Sequence, residues 1–281
     1  MTLFVNRLTQ LDVSVWCPTR GLMGASWQVD LELDGELGED GMLFDFGEVK
    51  PWVKKRLDAG VDHTLLVPTR APGVEVTECQ EGLCIRTRKP WPMEVRGPRQ
   101  AFTLLPWTEV TPGQLADHLA TGLSRQLPPR VSALRLALRE EAIDGAAYSY
   151  SHGLRHHAGN CQRIAHGHRS RLHIWQRGSR QLGLEADWAA RLSDCYLIDR
   201  ADLVVSEADS IGSMLTTRYG APQGHFMLRL PAERCYLLPT PTTVEHIAAW
   251  LAEEISRETG EATRVQAFEG IDKGAIAQGT P

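Results

Sequence analysis

The residues best suited to chemistry lie in one stretch, Tyr148 to Trp175, which reads YSYSHGLRHHAGNCQRIAHGHRSRLHIW. Five of the ten histidines of this 281-residue chain fall between His152 and His168, with Cys161 among them. Polar and apolar residues alternate on both flanks, which predicts two strands joined by a loop containing Gly159 and Asn160. Residues two apart on a strand share a face, so His166 and His168 would present two imidazoles side by side. His152, on the preceding strand, could supply a third. Three neutral histidines with an open fourth position make a catalytic zinc site. The competing reading is a set of solvated surface histidines. The third histidine and the nearby cysteine favour a metal.

The elements that must hold these residues alternate along the chain. Residues 3–16 and 27–33 pattern as strands, and a short strand is expected at Met42 to Phe44. A helix follows, with Val49, Trp52, Val53 and Leu57 on one face and Pro51 in its first turn. A hairpin over 73–105, a helix from Pro112 to about Leu127 and a strand from Val131 to Arg139 complete this half. The second half repeats the plan. FTLLPWTEVTPGQLADHLATGL (102–123) parallels CYLLPTPTTVEHIAAWLAEEI (235–255), and GLMGASWQVDLEL (21–33) parallels IAHGHRSRLHIW (164–175). A period of half the chain is a duplicated domain, with domains at 1–145 and 146–281 and almost no linker. GLEADWAARLSDCYLI (183–198) is the nearest counterpart of the first half's helix at 49–57. Val204 to Tyr219 has no assignment.

Composition bounds the rest. A hydrophobic fraction of 42% and a charged fraction of 23% are those of a globular protein. A net charge of −5 without a basic block points away from nucleic acid. No apolar run approaches the ~20 residues that span a bilayer. The N-terminus lacks a signal pattern, so the cytoplasm is the expected compartment. The six cysteines are scattered, form no CxxC pair, and read as reduced thiols.

Ser151-His152-Gly153-Leu154, Cys161 and His166-Gly167-His168 resemble the zinc and nucleophile region of the 6-pyruvoyl-tetrahydropterin synthase and 6-carboxytetrahydropterin synthase family. The GMLFDFGEVK stretch at 41–50 and GVDHTLL at 60–66 resemble its Asp-Phe-Gly helix start and its Asp-His catalytic pair. The resemblance implies an α+β protein of two tandem tunnelling-fold domains, each an antiparallel four-stranded sheet with two helices on one face. It implies Zn²⁺ held by His152, His166 and His168, Cys161 as general base, and Asp62 with His63 as its partner pair. It also implies a homo-oligomer: three two-domain chains in place of the family's six subunits. The substrate it implies is a pterin triphosphate, with no nucleic-acid or membrane partner. The spacing from Cys161 to His166 lies between those of the two subfamilies and does not choose between their products. A place in queuosine-type 7-deazaguanine synthesis is favoured by analogy only. The tandem nitrile reductases of that pathway are similar in plan, but no counterpart of their signature is present.

The halves have lost different parts of this pattern. Met23 and Ala25 stand where the second half has His166 and His168, and Cys17 stands near the place of Cys161 without a metal beside it. The Asp-His pair of the first half has Asp194-Cys195 as its expected counterpart. One composite site is therefore expected, with zinc and Cys161 from the second half and Asp62-His63 from the first. The pterin anchors implied by the resemblance are Glu269, Thr243 and Glu245, with Glu140 as the first half's remaining strand-end carboxylate. Without the resemblance, Glu245 reads as a helix-start carboxylate and the other two as exposed strand ends. The function expected is conversion of 7,8-dihydroneopterin triphosphate to a 6-carboxy or 6-pyruvoyl product. The alternatives are a silent pterin-binding scaffold of the same fold, which Cys195 in place of a histidine would favour, and an unrelated zinc hydrolase.

Overall fold

The computed structural model describes residues 1–204 and 214–281. Its elements in the first half are β1 (Thr2–Cys17), β2 (Gly21–Gly35), α1 (Phe46–Ala59), β3 (Leu65–Pro68), β4 (Val74–Cys79), β5 (Gly82–Thr87), β6 (Met93–Gly97), β7 (Phe102–Leu105), α2 (Pro112–Ser124) and β8 (Val131–Glu140). The second half continues with β9 (Ala147–His152), β10 (His166–Gln176), β11 (Ser179–Arg180), α3 (Leu182–Arg191), β12 (Cys195–Asp199), β13 (Leu203–Val204), β14 (Met214–Ala221), β15 (Gly224–Pro231), β16 (Cys235–Leu238), α4 (Val244–Thr259), β17 (Thr263–Phe268) and β18 (Gly274–Gly279).

Two main sheets carry the repeat. The first has the order β7-β3-β1-β2-β8 and the second β16-β12-β9-β10-β17-β18, with β11 paired to β10. Read position by position, the first five strands correspond, and so do their directions. In each sheet the long hairpin and its third strand are antiparallel, while the short strand after the first helix runs parallel to its neighbours. Two helices cover each sheet. Val49, Val53 and Leu57 of α1, at spacings of four, bury against Leu11, Val13 and Val15 of β1. Ile247, Leu251 and Ile255 of α4 do the same against Tyr148, Tyr150, Leu172 and Ile174. This is the two-layer α+β plan expected twice over.

Local details depart from the sequence reading at three places. Residues 42–44 form no strand. Instead Asp45 caps α1, its carboxylate accepting the Gly47 N–H at 2.6 Å. The helix therefore starts earlier than the apolar spacing suggested, and Pro51 sits inside it in the second turn. The expected hairpin at 73–105 is the three-stranded run β4-β5-β6, with β7 returning to the first main sheet. Of the unassigned segment 204–219, residues 205–213 lie outside the described residues and 214–219 belong to β14.

The three strands β4-β5-β6 join β13-β14-β15 of the second half through antiparallel pairing of β6 with β15, Val95 facing Leu228. This third sheet packs on Trp16, Leu22, Tyr196 and Ile198, so one apolar cluster is built from both halves. Trp16 meets Trp91 edge-on at 5.1 Å, a contact worth about 1 kcal/mol beyond its buried area.

The hairpins β1-β2 and β9-β10 meet face to face. Leu11, Val13 and Val15 point to the helices, whereas Asp12 and Ser14 are buried against the other half. Ser14 Oγ lies 2.7 Å from Ser151 Oγ, its own counterpart in the repeat. Gly24 and Gly167, also counterparts, mark the crossing. A Cβ on Gly24 would fall 2.1 Å from the Tyr150 carbonyl oxygen, and one on Gly167 would fall 2.8 Å from Gly24 Cα. Only glycine lets these backbones approach so closely.

Candidate active site

His152 ends β9 and pairs across the ladder with His166, which opens β10; His168 follows on the same face. All three side chains are buried, and their ligand nitrogens lie within 4.8 Å of one another. Each ring is approached on its Nδ1 side. His152 Nδ1 is 2.9 Å from the Thr242 carbonyl and 3.1 Å from its hydroxyl, and His166 Nδ1 is 3.0 Å from the Arg163 carbonyl. A carbonyl only accepts, so these two Nδ1 atoms carry the proton and Nε2 presents its lone pair. His168 Nδ1 lies 3.3 Å from Asp12 Oδ1, facing the carboxylate without a well-formed hydrogen bond.

The three Nε2 atoms are buried without a hydrogen-bond partner. Each would cost about 1–3 kcal/mol if left so. A divalent cation among them removes that cost, and imidazole with a fixed tautomer is the right donor. Burial, reinforced by neighbouring rings, holds His152 and His166 well below the ordinary imidazole range and therefore neutral. The residues fit a zinc ion.

Cys161 sits on the short turn Asn160–Gln162 between β9 and β10. Its carbonyl accepts the Leu154 N–H at 2.9 Å, and Asn160 Nδ2 donates to the Asp58 carbonyl at the end of α1. The loop is thus tied to the first half. Asp62 and His63 follow α1. His63 takes a left-handed backbone, φ 56°, which aims its ring into the gap between the halves. Its N–H donates to the Asp12 carbonyl at 2.8 Å, and the Asp12 N–H donates to Asp62 Oδ1 at 3.0 Å. The second carboxylate oxygen of Asp62 is 2.6 Å from His63 Nδ1. Cys161 is the other polar neighbour acting on the His63 ring, which also lies 5.3 Å from the ring of His166. Burial by itself would lower His63, but the hydrogen bond to Asp62 and the nearby Cys161 outweigh burial and raise it to about 10. The imidazole and carboxylate of the first half thus stand beside the thiol of the second.

A family model described as 6-pyruvoyl tetrahydropterin synthase matches the chain twice, over residues 17–149 and 144–280. The chain belongs to this family. Similar solved structures include the 6-pyruvoyl tetrahydropterin synthase of Plasmodium vivax, 17% identical, covering 51% of this chain and 93% of that one with a TM-score of 0.43. The enzyme of Plasmodium falciparum is 15% identical, covering 49% of this chain and 90% of that one with a TM-score of 0.41. No curated protein sequence matches the chain. Among the described residues no helix is long and apolar enough to cross a membrane.

The second tetrahydropterin synthase-like position of the pair has been rebuilt. Val15 pairs with Met23 as His152 pairs with His166, so the metal positions of the first half are Val15, Met23 and Ala25. None carries a donor suited to zinc. The ladder also corrects the alignment of the Asp-His pair. Ser14 faces Leu65 as Ser151 faces Tyr196, which sets Asp194 against His63, Ser193 against Asp62, and Cys195 against Thr64. Asp194 shares the left-handed backbone of His63, φ 57°, and donates its N–H to the Ser149 carbonyl at 2.8 Å just as His63 does to Asp12. The sequence alignment was one residue out because Asp194 matches Asp62 in type but not in place. Cys195 is a buried strand residue whose thiol burial pushes far up.

Arg20, in the turn that replaces the Cys161 loop, reaches Asp194 with Nε and Nη2 at 2.8 and 2.7 Å, and Ser149 Oγ donates to the same carboxylate at 2.5 Å. On this side an ion pair joins the halves where the other side has His63 and Asp62. Arg20 is half exposed, so Arg20→Ala should cost only about 1 kcal/mol in chemical denaturation and leave turnover unchanged. A loss of turnover would place catalysis at this side as well.

The anchors implied by the family are not gathered in one place. Glu269 immediately follows β17, its N–H bonded to the Lys273 carbonyl and its carboxylate 4.0 Å from Lys273 Nζ. Lys273, Asp12, Asp62 and His63 share a cavity of about 350 Å³. Thr243 lines a different cavity with Leu154, Arg155, Asp202 and His246. The Glu245 carboxylate is held low by its own backbone N–H and Thr243, a helix-start interaction. Glu140 is an exposed strand end near Arg169. Sequence reading missed Thr242, Asp12 and Lys273. The signal for Asp12 was present, a carboxylate inside the apolar alternation LDVSVW.

Proposed function

We propose that this chain is a zinc-dependent lyase acting on 7,8-dihydroneopterin triphosphate, with one composite site per pair of domains, 1–145 and 146–281. The observation that carries the reading is the meeting of three unpartnered imidazole nitrogens of the second half with a Cys161–His63–Asp62 relay completed by the first. His152, His166 and His168 would hold the ion, which supplies Lewis acidity toward the hydroxylated side chain of the substrate. Cys161 as thiolate takes the proton from the side-chain carbon. The His63 imidazolium stabilises that thiolate and can give a proton back to the product side chain. Asp62 fixes the His63 ring by its 2.6 Å bond to Nδ1. Arg163 anchors the same turn by donating to the Asp62 carbonyl at 3.1 Å. Three chains in a ring would let neighbours supply the anchors that one chain keeps apart.

A silent scaffold gains no support from Cys195, which does not occupy the histidine position. Incubation of the zinc-loaded protein with 7,8-dihydroneopterin triphosphate, followed by mass spectrometry, tests the reading. Release of triphosphate with a 6-pyruvoyl product, or side-chain cleavage to a 6-carboxy product, is expected. An unchanged substrate in the presence of firmly bound zinc would end it.

A further inference from the structure

We infer that Asp12, a residue of the first half, is a positioning residue for the metal ligand His168 of the second. The inference rests on the metal-binding reading of the three histidines and not on the reaction they serve. Asp12 is buried, and its side chain makes three contacts. Oδ1 lies 3.3 Å from His168 Nδ1 and accepts the Ser26 hydroxyl at 2.5 Å, while Oδ2 is 3.2 Å from Lys273 Nζ. Ser26 is the residue opposite Asp12 on β2, and it also accepts the Arg169 N–H beside His168. The carboxylate is therefore fixed from its own strand partner and aimed at a ring in the other half.

The other two ligands are oriented by backbone carbonyls of their own half, those of Thr242 and Arg163. His168 alone depends on a side chain from across the interface. Ligation through Nε2 would put the proton on Nδ1, 3.3 Å from this carboxylate, which then favours that tautomer and holds the ring's orientation.

The repeat supplies an internal comparison. The correspondence that sets Asp194 against His63 also sets Ser149 against Asp12 and Ala25 against His168. The carboxylate is present where it faces an imidazole. Its counterpart is a hydroxyl where the facing position is a methyl group. Asp12 also touches the relay, but only through its backbone, by the N–H to Asp62 and the carbonyl to His63. A side-chain change at Asp12 leaves both of those bonds available, so its effect on the metal separates from any effect on Cys161 and His63.

The test is zinc affinity, measured by competition with a chromophoric chelator on the full chain. Asp12→Asn should weaken zinc binding about 10–100-fold, while His63→Ala stays within about 2-fold of the parent. The d–d absorption of the cobalt-substituted protein should shift in Asp12→Asn and not in His63→Ala. Unchanged affinity in Asp12→Asn overturns the inference. Should that variant fail to fold, Lys273→Met keeps Asp12 and removes its competing cation. Zinc binding several-fold tighter is then expected, and unchanged or weaker binding overturns the inference. A parent protein that binds no zinc refutes the metal reading itself, a result distinct from either.

Discussion

His63→Ala should reduce turnover of the zinc-loaded protein about 10²–10⁴-fold, the usual worth of a positioned proton donor or acceptor. Zinc content should stay at the parent level. The reason lies in the division of the site. His63 belongs to the first half and touches Cys161, whereas every candidate metal ligand belongs to the second. Its imidazole is held protonated by Asp62 at 2.6 Å, so its loss removes the cation that stabilises the thiolate. Steady-state kinetics paired with metal analysis separate the two functions. Full activity in His63→Ala would show that the halves do not share a site, and the relay would reduce to a structural hydrogen bond.

Gly24→Val should be the most destabilising single change at the interface of the halves, costing about 3 kcal/mol or more. The added side chain would meet the Tyr150 carbonyl oxygen at 2.1 Å and the His168 backbone at 2.5 Å. Both obstacles are main chain inside paired strands, so neither can turn aside as a flexible side chain would. Relief requires the hairpins to separate, and His168 would move away from Asp12 with them. Denaturant unfolding measures the cost, and the same variant should lose zinc affinity. Gly113→Ala is the matched control. Nothing lies within 4 Å of the position and it is the second residue of α2, so stability should be unchanged or slightly raised. Equal stability of Gly24→Val and the parent would mean that the halves are not packed as described.

The three-histidine group was legible in the sequence because much of its geometry is local. His166 and His168 are two apart on one strand, which period-two alternation puts on one face, and the pairing of β9 with β10 brings His152 beside them. The duplication was legible for a similar reason, since each half must bury the same helix and strand faces. Asp62-His63 could be matched to a motif, and their complement in the second half pointed to a shared site.

Other features depended on how the halves meet. Asp194 and Cys195 were set one residue out of place, because identity of residue type competed with register and only the ladder at Ser14 and Ser151 decides it. The caps and turns of the first half also escaped, because Asp45 could start α1 ahead of its apolar face. The joining of β6 to β15 left no trace in the pattern of either strand.

The sequence by itself determined the repeat, the three-histidine group and the thiol beside it, because these rest on short-range periodicity and side-chain type. Only the tertiary structure decided what surrounds them. It set Asp12 behind His168, His63 beside Cys161, and Arg20 against Asp194. Each of these pairs joins residues far apart in the chain, and no local period of a strand or helix encodes the close crossing of two hairpins at Gly24 and Gly167.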